Sequence, residues 1–164
     1  MNTQILKNKI QDDEILNNIA SFSPNKIYLV GGSVRDCFLG KDTFDRDLIV
    51  TDEDARIFSQ KVSEFFDGKF IPLDEENKIY RVVLKDKKNY LDITNPIENS
   101  IEKDLFRRDL TINAIAVNIK SGEIIDLVGG VKDIQSKTIR GIKDFNFEDD
   151  PLRILRVFRF YSIL

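Results

Sequence analysis

The stretch from Lys26 to Thr51 constrains the fold more than any other. Lys26–Val30 (KIYLV) is a β-branched and aromatic run that stops at Gly31-Gly32, the pattern of a strand entering a tight turn. Ser33–Leu39 then reads as a short helix closed by Gly40, and Asp47–Thr51 (DLIVT) as a second strand. Upstream, Leu6, Ile10, Ile15, Leu16 and Ile19 give residues 3–20 a helical stripe that Ser21–Asn25 ends. Downstream, Thr51 with Asp54 three residues on predicts a capped helix to Phe66. Strands are expected at Lys69–Leu73, Tyr80–Leu84 and Tyr90–Thr94, joined by polar turns, and residues 95–103 read as loop. A helix over Leu105–Asn118, a short strand pair at Val117–Ile119 and Ile124–Asp126, and a last helix opened by Asp149, Asp150 and Pro151 complete the chain. Helices interleave with strands, yet several strands are linked by short turns, which favours a mixed sheet over a pure βαβ wind.

Composition narrows the chemistry. The 164 residues contain no histidine, which excludes Ser-His-Asp and Cys-His nucleophile systems, an imidazole base and a His-based metal site. The one cysteine, Cys37, excludes an internal disulfide and a cysteine-rich zinc cluster, and fits a reducing compartment. A net charge of −3 does not mark the whole chain as a nucleic-acid binder, although a local patch can oppose the total. No stretch has the apolar length of a membrane span, and MNTQILKNKIQDDE lacks the apolar core of a signal peptide. A cytoplasmic protein is expected.

Gly31-Gly32, between a strand and a helix, is either a plain tight turn or a place where backbone N–H groups meet an anion. It is neither GxGxxG nor a Walker loop. Arg35 is placed to add a phosphate fork or to lie in solvent. Asp45-Arg46-Asp47 follows at a strand start, and alternation puts the two carboxylates on one face and Arg46 on the other. Two such carboxylates are surface decoration or a site for Mg²⁺, which takes a few carboxylate oxygens and completes its shell with water and phosphate.

GGSVRDCFLG (31–40) followed by DRDLIV (45–50) resembles the first motif of class II tRNA nucleotidyltransferases and bacterial poly(A) polymerases, members of the DNA polymerase β-like nucleotidyltransferase superfamily. KDLFRRDLTINAIA (103–116), IIDLVGGVKDIQSKTIR (124–140) and DDPLRILRVFRF (149–160) resemble later motifs of the family, in its order. The resemblance implies an α+β head with a mixed, largely antiparallel sheet flanked by helices. It places the head at residues 1–147 and the start of the neck helix at 148–164, without the family's body and tail.

By the same resemblance, Asp45 and Asp47 hold Mg²⁺, with Asp92 of YLDIT the candidate third carboxylate. Gly31, Gly32 and Arg35 contact the nucleotide triphosphate. Arg107 and Arg108 face sugar or phosphate, with Asp109 orienting one of them and Asn113 supporting the network. Asp150 and Arg153 present hydrogen-bonding groups to the base edge, buttressed by Arg156 and Arg159, whose spacing puts all three arginines on one broad helix face. Two motifs depart from the family: Asp149-Asp150 stands for its Glu-Asp, and Thr94-Asn95-Pro96 for its Thr-x-Arg.

The implied activity is Mg²⁺-dependent, template-independent addition of CMP and AMP, from CTP and ATP, to an RNA 3′ end, most naturally CCA or partial CCA addition to tRNA. Poly(A) synthesis, nucleotidyl transfer to a protein or small molecule, and a non-catalytic nucleotide-binding module are the alternatives. The last helix, from Leu152 to Leu164, carries apolar residues all round and predicts self-association or a partner subunit.

Overall fold

A computed structural model describes residues 3–161 apart from residues 25, 42, 43 and 151. Asn25, Pro151, Ile163 and Leu164, expected to end one helix and to open and extend another, lie outside the described residues.

Among the described residues, seven strands form one sheet: β1 (Ile27–Val30), β2 (Asp45–Val50), β3 (Lys69–Asp74), β4 (Ile79–Val83), β5 (Tyr90–Thr94), β6 (Ala116–Asn118) and β7 (Ile124–Ile125). Their order is β3-β4-β5-β2-β1-β6-β7. Every neighbouring pair is antiparallel except β2–β5. The fold is therefore α+β with the mixed, largely antiparallel sheet expected. The helices are α1 (Thr3–Asp12), α2 (Glu14–Phe22), α3 (Gly32–Phe38), α4 (Ala55–Phe65), α5 (Ile101–Phe106), α6 (Gly130–Gln135), α7 (Phe145–Asp149) and α8 (Leu152–Tyr161).

One sheet face is covered from β4 across to β6. Leu29, Leu48, Val82, Leu91 and Ile93 bury against Leu6, Leu16 and Ile19 of the first two helices, Phe38 of α3, and Phe58 and Val62 of α4. Apolar burial of this extent is the main stabilising term. The opposite face is covered only in part, where Val30 and Ile49 meet Ile101 and Leu105 of α5. The N-terminal half of β2 on that second face, with Asp45 and Asp47, stays accessible.

Several elements differ from the sequence expectation, each for a local reason. The stripe over 3–20 is two helices, because the Asp13 carboxylate caps α2 by accepting from Ile15 N and Leu16 N at 3.0 and 3.2 Å. Asp54, not Thr51, caps α4 through Arg56 N and Ile57 N. The expected loop at 95–103 already contains the start of α5, which Ser100 Oγ caps by accepting from Lys103 N. The helix expected over Leu105–Asn118 stops at Phe106. Beyond it Asp109 binds Leu110 N and Thr111 donates to Asp133, side-chain bonds that compete with helical pairing. A 3₁₀ turn at Thr111–Asn113 then leads into β6. Asp149 closes α7 instead of opening the last helix.

Asn95, in the departure from the family's Thr-x-Arg, holds its loop by donating to Val50 O and Glu53 O while accepting from Ala55 N. On α8, Phe160 is 2% exposed against the head, while Leu152, Ile154, Leu155, Phe158 and Tyr161 are exposed. No helix of the described residues is long and apolar enough to cross a membrane.

Asp13 has a second role. Its Oδ2 accepts from Arg46 Nε at 2.8 Å, and Arg46 Nη1 donates to Asn89 Oδ1 at 2.9 Å. Asp13→Ala therefore removes a cap and leaves a buried guanidinium short of its counter-charge. Urea denaturation is expected to show a loss of about 2–4 kcal/mol, whereas Asp13→Asn, which keeps the cap, loses less.

Candidate active site

Strand alternation sets Asp45 and Asp47 on the accessible face and turns Arg46 away, as the sequence predicts. Parallel pairing of β2 with β5 puts Asp92 directly opposite Asp47. Carboxylate oxygens of Asp45, Asp47 and Asp92 all lie within 4.8 Å of one another. Burial and then Asp45 push the Asp47 carboxyl up to about 6, with Arg108 opposing the shift. Burial and then Asp92 also raise Asp45. Crowded, partly desolvated carboxylates offering oxygen alone are the donor set a hard divalent cation such as Mg²⁺ prefers, so these residues fit that ion. Asp92 is not a bare carboxylate: its two oxygens accept from Nε and Nη2 of Arg81, each at 2.7 Å.

Facing the trio is a cleft of about 440 Å³, a size suited to a nucleotide. It gathers Gly31, Gly32, Arg35, Arg107, Arg108, Asp109, Asn113, Arg153, Arg156 and Arg159 around Asp45 and Asp47. Asp92 stands beside it on β5. Asp150 lines an adjoining cleft that shares Arg107, Arg108 and Arg153 with the first. Gly31, at φ +68°, has a backbone conformation that favours glycine, and a Cβ there would come 2.8 Å from Arg108 Nη1, displacing the guanidinium.

The arginines are held by partners the sequence only partly revealed. Arg108 gives Nε and Nη2 to Asp104 Oδ2 at 3.1 and 2.9 Å, so Asp104 orients it, in place of the expected Asp109. The two lie four residues apart across the end of α5, a spacing that signals a helical ion pair. Arg107 is more exposed and only 3.7 Å from Asp104. Asp109 instead accepts from Asn113 Nδ2 and pairs with Arg156 Nε at 3.1 Å. Asn113 Oδ1 accepts from Arg35 Nη1 at 2.6 Å, and the Phe160 ring lies 4.6 Å from the Arg35 guanidinium carbon. Arg153 donates to Arg107 O and Asn146 O, with Asp150 at 3.5 Å. Arg159 lies 5.6 Å from the Phe160 ring. Ser33 is a further residue the sequence did not mark: its hydroxyl donates to Asp45 O and accepts from Asp47 N. A lone serine in a helix start gives no signal of that kind.

Residues 27–140 match the family described as the poly A polymerase head domain. The chain belongs to this family. It is 40% identical over 147 residues to the multifunctional CCA protein of Xanthomonas campestris, covering 85% of this chain and 35% of that protein. It is 38% identical to the CC-adding tRNA nucleotidyltransferase of Geobacter sulfurreducens over 84% of this chain and 32% of the relative. In structure it is similar to the Thermotoga maritima CCA-adding enzyme complexed with tRNA, with a TM-score of 0.83 and 33% identity over 98% of this chain and 40% of that one. The chain thus spans about a third of the length of the curated relatives it matches.

In this head domain the raised Asp47 carboxyl has a consequence for stability. The fold holds its proton more tightly than the unfolded chain does, so the contribution of Asp47 to metal-free stability is most favourable at low pH and falls as pH rises from 3.8 through about 6. At pH 7.5 the loss is about 2–3 kcal/mol. Asp47→Asn is expected to raise the metal-free melting temperature at pH 7.5 and flatten its dependence on pH across that window, measured by thermal denaturation in EDTA.

Proposed function

We propose that this chain transfers CMP and AMP from CTP and ATP to the 3′ end of RNA, with tRNA as the acceptor and Mg²⁺ as the cofactor. The observation that carries the reading is a crowded carboxylate trio facing a cleft lined by oriented arginines. One side would hold the metal and the other a polyphosphate. Asp45 and Asp47 are the metal ligands in this reading, joined by Asp92. When bound, the metal supplies charge neutralisation at the α-phosphate and a more acidic attacking hydroxyl.

Arg108, braced by Asp104, and Arg35, braced by Asn113, bind the triphosphate as preorganised forks. Gly31 and Gly32 give the phosphates close approach to the backbone. Arg153 and Asp150 face the base: the carboxylate accepts from the exocyclic amino group that CTP and ATP share, and the guanidinium donates to a ring or carbonyl acceptor. Arg156, on Asp109, and Arg159 support that side. Residues 1–147 are assigned to the catalytic head and 148–164 to the opening of the base-reading helix.

CCA or partial CCA addition is favoured over poly(A) synthesis by the names of the relatives. Incubation with Mg²⁺, each labelled NTP and a tRNA lacking its 3′ end separates them: one to three added residues from CTP and ATP are expected, and long ATP-only products would overturn the choice. Asp45→Ala should abolish extension, and Arg108→Ala should lower kcat/KM for NTP on the order of 10²-fold. Label appearing equally with wild type and Asp45→Ala would reject the reading. With the net charge at −3, RNA binding by this chain alone should be weak in a filter-binding titration and weaken further as salt rises.

A further inference from the structure

The carboxylate trio divides two unlike surfaces of one sheet face. Toward β1 lie Gly31, Gly32, Arg35 and Arg108, the polyphosphate side of the proposed reaction. Toward β5 and β4 lie Tyr90, Asp92 and Arg81, brought together by the pairings Asp45–Tyr90, Asp47–Asp92 and Arg81–Asp92. Displacement at phosphorus proceeds with attacking and leaving oxygens on opposite sides. If pyrophosphate leaves toward the arginines by β1, the attacking hydroxyl enters over β5 and β4.

That entry side carries a built shelf. Nε and Nη2 of Arg81 each donate to a different Asp92 oxygen at 2.7 Å, which fixes the plane of the guanidinium. The Tyr90 ring supports one face of it, 4.2 Å from the guanidinium carbon. The Arg81 side chain is nevertheless 31% exposed. Tyr80 and Val82 are buried with Phe58 and Val62 of α4 on the opposite sheet face, so that helix does not cover the shelf. On the same side as Arg81, its β3 partner Ile71 is half-buried, and Lys69, beside Val83, is exposed. A flat cation backed by an aromatic ring, with apolar and basic neighbours, is suited to a nucleobase and its phosphate.

We infer that this shelf receives the 3′-terminal nucleoside of a single-stranded RNA acceptor, its base stacked on the open face of the Arg81 guanidinium and its ribose hydroxyl directed at the carboxylate trio. The inference rests on the nucleotidyltransferase reading for its substrate class, but it is tested separately. Two RNA oligomers serve as probes, alike except that one carries an abasic 3′-terminal ribose. With wild type the abasic acceptor should lose about 10- to 100-fold in kcat/KM, the loss expected for one stacked base. With Arg81→Lys, which keeps the charge but loses the plane, the gap between the two acceptors should shrink below about three-fold while KM for NTP holds. An abasic penalty equal in both proteins would overturn the inference, because a merely structural role for Arg81 predicts that equality.

A binding measurement without turnover uses RNA ending in 2-aminopurine. Quenching of its fluorescence on saturation with wild type, absent with Arg81→Lys although anisotropy shows the RNA bound, is the expected result. Bound RNA without quenching in wild type would overturn the inference. Should Arg81→Lys not fold by circular dichroism, Tyr90→Leu removes the support beneath the guanidinium and is expected to narrow the abasic gap in the same way. If wild type extends neither RNA, the proposed function fails and the fluorescence result alone decides the shelf.

Discussion

Mutual repulsion among three carboxylates organises this structure. Asp45 and Asp47 share one face of β2, and Asp92 is set across from Asp47 by the parallel pairing of β2 with β5. Burial and the neighbouring carboxylates disfavour the charged forms of Asp45 and Asp47, and the nearby cations oppose that cost. Arg108 bears on Asp47 from the β1 side, Arg81 from the β4 side, and Arg46 bears on Asp45 from behind the strand. None of the three cations stands loosely: Asp104 orients Arg108, Asp92 holds Arg81, and Asp13 with Asn89 holds Arg46. The fold thus invests three oriented charge pairs around a small region of strand.

Much of that arrangement was legible in the sequence where it was local. The run ending at Gly31-Gly32 located the turn whose positive φ favours glycine. Alternation along Asp45-Arg46-Asp47 assigned their faces without any tertiary information. Less legible was what depends on pairing between distant segments. Arg81 and Asp92 are neighbours only because β4 and β5 pair antiparallel in that register, and a sequence pattern fixes no register by itself. The region after Phe106 misled for another reason. Its apolar residues permit a helix, but Asp109, Thr111 and Asn113 spend their side chains on backbone or buried polar partners, and the chain turns into a strand instead.

The same competition explains how Asp104 took the role expected of Asp109. Asp104 and Arg108 lie four residues apart across the end of α5, so proximity comes from local geometry. Asp109, past the helix end, points the other way and joins Asn113 to Arg156 of α8. Arg35, Asn113, Asp109 and Arg156 therefore form a continuous chain from the first glycine turn to the last helix. Ion pairs and hydrogen bonds of this kind tie the two sides of the cleft into one unit.

Phe160 makes that unit intolerant of slippage. Its ring is the buried contact of α8, with the Arg35 guanidinium 4.6 Å from its centroid. The residue before it in the chain is Arg159. Sliding the helix by one position toward its own C-terminus would bring a cation where the ring now sits, against another cation. The aromatic ring works as an indexing tooth: α8 seats in one notch, and Arg153 and Arg156 are carried to fixed addresses along the cleft. Insertions or deletions within α8 are thereby disfavoured in a way that substitutions on its exposed side are not.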